Sequence, residues 1–141
     1  MDGGSSPMDG FMRLPETGGR EKAADGAEAE VQARRYLEKQ GLAFLTANYR
    51  CRYGELDLVM RDGGCLVFVE VRARRSARSG LPEATLTARK RRCLARAARC
   101  FISEHRRFGG MMLRFDVVGI LAGGPRTEIR WIRNALEFDG R

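Results

Sequence analysis

Histidine is almost missing from this chain of 141 residues: His105 stands alone, and Cys51, Cys65, Cys93 and Cys100 show no Cys-x-x-Cys spacing. A structural zinc site takes four nitrogen or sulfur ligands at short spacings, so none is expected. Cys93 and Cys100, a heptad apart on a helical reading, are expected to pack as small apolar side chains. Long apolar runs are missing too, so no segment is expected to span a bilayer. The acidic, glycine-rich N-terminus lacks the apolar run of a secretory signal. Thiols without a pairing pattern fit a reducing compartment, and the expected location is cytoplasmic. Lysine is scarce: Lys22, Lys39 and Lys90 stand against a combined 26 lysines and arginines. The basic charge is therefore nearly all arginine, a bias that GC-rich codon usage also produces, so an arginine is not by itself a phosphate ligand.

What is present is an ordinary apolar content of 43%, enough for one domain with a proper core, and a net charge of +8. Such a charge favours polyanions, nucleic acid or an acidic membrane surface, although a basic surface also simply keeps a protein in solution. Met1 to about Arg20 is Gly, Ser, Pro and charge without periodicity and is expected to be a disordered tail, leaving one domain over 21–141.

The densest signal is Glu55-Leu56-Asp57-Leu58-Val59, an Asp62-Gly63-Gly64 turn, and Leu66-Val67-Phe68-Val69-Glu70-Val71-Arg72. Alternating apolar residues around an Asp-Gly-Gly signal predict a β-hairpin that carries acids within its apolar strands. A two-residue loop at Asp62-Gly63 would set Asp57 against Phe68 and Glu55 against Glu70. One at Gly63-Gly64 would set Asp57 against Glu70 and Glu55 against Arg72. Both put Glu55, Asp57, Glu70 and Arg72 on one face, whereas a three-residue loop would separate the acids. Buried carboxylates must be ion-paired, hydrogen-bonded or metal-bound. Ion pairing with nearby arginines is the ordinary answer. A divalent cation is the functional one, since Mg²⁺ takes one or two carboxylates and fills its other positions with water and phosphate.

Around the hairpin, the pattern predicts a helix over Ala23 to Gln40, with Ala27, Val31, Tyr36 and Leu37 on or near its apolar stripe, Glu30 beside it and Gly41 as its stop. A strand is expected over Leu42 to Tyr49, and a flexible basic loop over Ala73 to Leu81. Thr87 reads as the N-cap of a helix from Ala88 to Arg106. Leu94, Ala97, Ala98, Phe101, Ile102 and His105 form its inner face, and Arg89, Lys90, Arg91, Arg92, Arg96 and Arg99 its outer one. Leu113 to Leu121 reads as a buried strand reached by a crossover, with Asp116 as a structural partner for an arginine, and Glu128 to Arg133 as the last strand.

The ordered set GAEAEVQARRYLEKQGLAFLTANYR, YGELDLVMRDGGCLVFVEVRARRS, TARKRRCLARAARCF, RFDVVGI and WIRNALE resembles the YraN-type family of small bacterial proteins, from about Gly26 to Phe138. That resemblance implies an α/β, restriction-endonuclease-like fold: a single domain with a mixed β-sheet flanked by helices, similar to archaeal Holliday-junction resolvases. It implies action on nucleic acid, DNA above all. It also aligns Asp57 with the GE(I/L)DL aspartate and Glu70 with the glutamate of the VE-V-K strand, both metal ligands by analogy, and Glu30 with the glutamate of the helix motif G-E-x-x-A, although Ala29 replaces the glycine. Nucleases of this fold carry Glu-x-Lys where this chain has Arg72, and arginine cannot serve as a general base. Lys90, which matches a family lysine, is the candidate to replace it.

The expected activity is therefore Mg²⁺- or Mn²⁺-dependent phosphodiester hydrolysis, with a preference for branched DNA that rests on fold analogy alone. Asp57, Glu70 and the Val71 carbonyl would hold the ion, and Glu30 would position water or a second ion. Arg72 and Lys90 would stabilise charge on the phosphate. Arg74, Arg75, Arg78, Arg89 and Arg92 would bind the nucleic-acid backbone without reading sequence. Two rivals stand beside this: a nucleic-acid-binding module of the same fold that lost its chemistry with the lysine, and a protein-interaction adaptor docking through the basic helix. No membrane partner is expected, and a homodimer is compatible with the fold.

Overall fold

A computed structural model describes residues 24–74, 86–122 and 124–136, so the tail over 1–20, Arg75, Arg78 and most of the basic loop lie outside the described residues. The elements run α1 (Ala24–Lys39), β1 (Ala43–Cys51), β2 (Gly54–Asp62), β3 (Cys65–Arg74), α2 (Ala88–Glu104), a 3-10 turn (Arg106–Phe108), β4 (Met112–Leu121) and β5 (Glu128–Leu136). The strands form one sheet in the order β1-β2-β3-β4-β5. β3 and β4 are parallel, joined by the crossover that holds α2, and the other pairs are antiparallel. The result is the expected α/β mixed sheet with helices.

α1 stops where the sequence predicts. Gly41 takes φ 103°, a left-handed conformation that favours glycine, and the Leu42 N–H donates to the Leu37 carbonyl (3.1 Å) while the Gly41 N–H donates to that of Glu38 (3.0 Å). This is the Schellman closure, and it places Leu42 in the same apolar cluster as Leu37. The buried stripe differs from the expected one: Ala29, Ala33 and Leu37 face inward, while Ala27 and Val31 are exposed. Ala29, Ala33 and Leu37 are spaced four apart and form the inward stripe, and Val31 falls on the opposite side of the helix.

Each face of the sheet has its own core. On one, Ala29, Ala33 and Leu37 of α1 pack with Leu58, Met60, Val67, Val69, Val118 and Ile120. On the other, Leu94, Ala97, Ala98 and Phe101 of α2, four of the six residues expected on its inner face, are buried and pack with Leu56, Val59, Leu66, Phe68 and Phe115, while Ile102 and His105 are partly buried. Tyr49 fixes β1 to α2: its ring meets Phe101 edge-on at 5.2 Å, and its hydroxyl donates to Glu104 Oε1 at 2.8 Å.

The hairpin adopts the Gly63-Gly64 register. Asp62 pairs with Cys65 and Leu58 with Val69, and of the two loop residues Gly63 has positive φ (62°), as a type II′ turn requires of its first position. β1 and β2 change face together. Ala47 and Leu58 are cross-strand partners on the α1 side, and Tyr49 and Leu56 are the next partners, on the α2 side. Between them lie Asn48, at φ 57°, and Asp57, so strict alternation breaks at the candidate aspartate. Asparagine is among the residues that tolerate this conformation best.

Candidate active site

The β2–β3 ladder ends at Leu58–Val69, although β2 begins at Gly54 and β3 continues to Arg74. Beyond that rung β2 pairs with β1 at Leu56, Glu55 and Gly54, and β3 pairs with β4 through Arg74. The two central strands therefore fork. Asp57 and Glu70 are the first residues past the last rung, one on each arm, and both are buried, at 7% and 6% exposure.

Asp57 spans the opening of the fork: the Val71 N–H donates to its Oδ2 at 2.9 Å. A continued ladder would have given that N–H a backbone carbonyl of β2, and the carboxylate takes its place. In a strand the N–H and C=O of one residue point to the same edge, so the Val71 carbonyl is directed toward the Asp57 side as well. Glu70 faces cations. Its Oε2 lies 3.3 Å from Arg72 Nε and 3.7 Å from Lys90 Nζ, the latter reaching down from the first turn of α2. Arg72 Nε makes no hydrogen bond of good geometry, so the Arg72 contact is ionic in character.

The sequence placed Glu55 and Arg72 on one face with the two acids. In the structure Glu55 follows β1, across from Arg50, and the break in alternation at Asp57 puts it out of phase with the pair. Glu30, 7% exposed, stands on α1 beside Ala29, which packs on the other face of the sheet. Among the described residues no three His, Cys, Asp or Glu groups converge closely enough to hold a metal, so Glu30 does not complete a ligand set with Asp57 and Glu70. The donor chemistry still fits a hard cation of the Mg²⁺ type: two opposed carboxylates and a carbonyl are oxygen ligands, and water and phosphate ordinarily complete that shell.

Thr87 caps α2, its hydroxyl accepting from the Lys90 N–H at 3.1 Å. The first turn holds Arg89, Lys90 and Arg91 and no acid. Cations there oppose the helix dipole, an arrangement that costs stability unless an anion is nearby. Arg89 and Arg92 are exposed on this helix. Arg74 folds back on its own strand, donating from Nη1 to the Ala73 carbonyl at 3.0 Å.

Asp116 is the structural partner expected of it. Arg114 donates to it from Nε and Nη2, Trp131 from Nε1 and Asn134 from its backbone N–H, each at 2.9 Å. Asn48 is a residue the sequence does not flag, because an asparagine in a strand carries no mark of the face change it permits.

The family model for the uncharacterised protein family UPF0102 matches residues 29–120. A UPF0102 protein of Coxiella burnetii is 46% identical over 114 residues, covering 81% of this chain and 92% of that one. One of Nitrosomonas europaea is 46% identical over 112 residues, 79% and 92% of the two chains, and one of Xanthomonas campestris pv. campestris is 48% identical over 114, 81% and 92%. The matched segment contains Glu30, Asp57, Glu70, Arg72 and Lys90, and the chain belongs to the uncharacterised protein family UPF0102, the YraN family.

Proposed function

We propose that this protein is a metal-dependent nuclease that hydrolyses phosphodiester bonds of nucleic acid, DNA above all. The observation that carries the reading is the fork between β2 and β3, with Asp57 and Glu70 buried on opposite arms and Lys90 above them on a helix of arginines. Asp57, Glu70 and the Val71 carbonyl would hold Mg²⁺ or Mn²⁺, which would lower the pKa of a bound water and offset charge on a phosphate. Val71 keeps Asp57 oriented through its N–H. Lys90 and Arg72 stand beside Glu70 and stabilise the added negative charge of the pentacovalent phosphate. Arg89 and Arg92 draw the backbone of the polyanion to that end of α2 without reading its bases.

One observation favours the binding-module reading instead. Arg72 and Lys90 both lie within ion-pair distance of Glu70 Oε2 and already balance its charge. Cleavage of end-labelled duplex, flap, four-way-junction and single-stranded DNA in Mg²⁺, Mn²⁺ or EDTA separates the two, with wild type and Asp57→Ala purified identically. The nuclease reading expects cutting that EDTA and Asp57→Ala both abolish. Tight, salt-sensitive binding without cutting, unaffected by Asp57→Ala, would establish the module.

A further inference from the structure

Away from the carboxylates, the turn between β1 and β2 leans on the flank of α2. Tyr53, half-buried in that turn, accepts a hydrogen bond at its hydroxyl from Arg52 Nη2 (2.8 Å), and the Arg52 guanidinium lies 5.0 Å from its ring centroid. Arg96 of α2 stands over the same ring at 5.8 Å. Tyr53, Arg96, Arg99, Cys100 and Ser103 line one open concavity. Gly54 brings the turn against the helix: a Cβ there would meet the Cβ of Cys93 at 3.5 Å. Arg96, Arg99 and Ser103 are spaced three and four apart, so they form one stripe along the helix.

We infer that this concavity is a subsite for an unpaired nucleotide, whose base stacks beside Tyr53 and whose phosphates meet Arg96 and Arg99. The inference rests on the nucleic-acid reading above and narrows it to substrates with a single-stranded segment. An aromatic ring among guanidinium groups is the pairing that holds splayed bases, because every base offers a π face and every link a phosphate. A purely electrostatic backbone contact needs the arginines and has no use for the ring. The concavity also shares α2 with Lys90, which meets Glu70 at the fork. Six residues of helix separate Lys90 from Arg96, about 9 Å.

The test is binding in EDTA of a blunt duplex and of the same duplex with a single-stranded overhang carrying 2-aminopurine, by wild type, Tyr53→Phe and Tyr53→Ala. Circular dichroism confirms that each variant is folded. The expected result is a 2-aminopurine signal that changes on binding to wild type and Tyr53→Phe and not to Tyr53→Ala. The overhang substrate binds Tyr53→Ala about tenfold or more weakly, and the blunt duplex binds all three within twofold. Equal loss on both substrates, or no loss on the overhang, would overturn the subsite and leave the nuclease reading standing. Failure of wild type to bind any nucleic acid, in EDTA and again in Ca²⁺, would overturn that reading, and the subsite with it.

Discussion

Arg72 holds the position where a lysine would offer a second chemistry. A guanidinium cannot serve as a general base, so beside Glu70 Arg72 supplies charge and no proton abstraction. A lysine there could also lose its proton to become a base. Arg72→Lys is therefore expected to raise the cleavage rate, on the order of tenfold or more, measured as initial rates on a labelled flap substrate. An unchanged or lower rate would mean that Arg72 is fitted to this site as it stands. Asp57 and Glu70 could be read from sequence because carboxylates in apolar strands conflict with burial, and that conflict is visible without coordinates. The out-of-phase Glu55 could not, because it follows from the left-handed backbone of Asn48 on the neighbouring strand. Ala27 and Val31 mislead because apolar character in an alanine-rich helix does not fix the phase of the inward stripe, which Ala29, Ala33 and Leu37 carry.

Among the elements, the hairpin was the most legible, since a Gly-Gly pair between alternating runs narrows the register to a few choices. The fork was not, because a ladder ends where the neighbouring strands claim the backbone, and β4, which claims β3, returns only after the crossover through α2. A carboxylate fills such an interruption twice. Asp57 does so between β2 and β3, and Asp116 between β4 and β5, where the register shifts after Phe115. Asp116 is 1% exposed and gathers four hydrogen bonds. Removing it would leave the half-buried Arg114 guanidinium with Asp62, at 3.1 Å, as its remaining ion-pair partner, and the Trp131 and Asn134 N–H groups without their acceptor. Asp116→Ala is expected to lower stability by about 3–5 kcal/mol, read from urea unfolding. A loss below about 1 kcal/mol would show that water replaces the carboxylate.

At the scale of the whole molecule, alkali is the expected weakness. Burial first, and then the hydrogen bond to Glu104, raise the Tyr49 phenol above its ordinary value. Burial likewise pushes up the Cys65 and Cys100 thiols. A group that holds its proton more tightly folded than unfolded stabilises the fold below its unfolded pKa, and that contribution is lost as pH rises. Stability should thus decline above about pH 8.5, where free thiols ionise, and further above about pH 10, where a free phenol does. Tyr49→Phe should flatten the upper part of that decline, at a cost of about 1 kcal/mol at neutral pH for the lost hydrogen bond. Urea titrations from pH 7 to 11 measure both. The fork has a consequence at this scale as well. One arm is bound to β1 and the other to β4, so the gap between Asp57 and Glu70 depends on how the two halves of the sheet are turned against each other. In mechanical terms the sheet is a pair of callipers hinged at the last shared rung, and any partner that alters its twist resets the jaw.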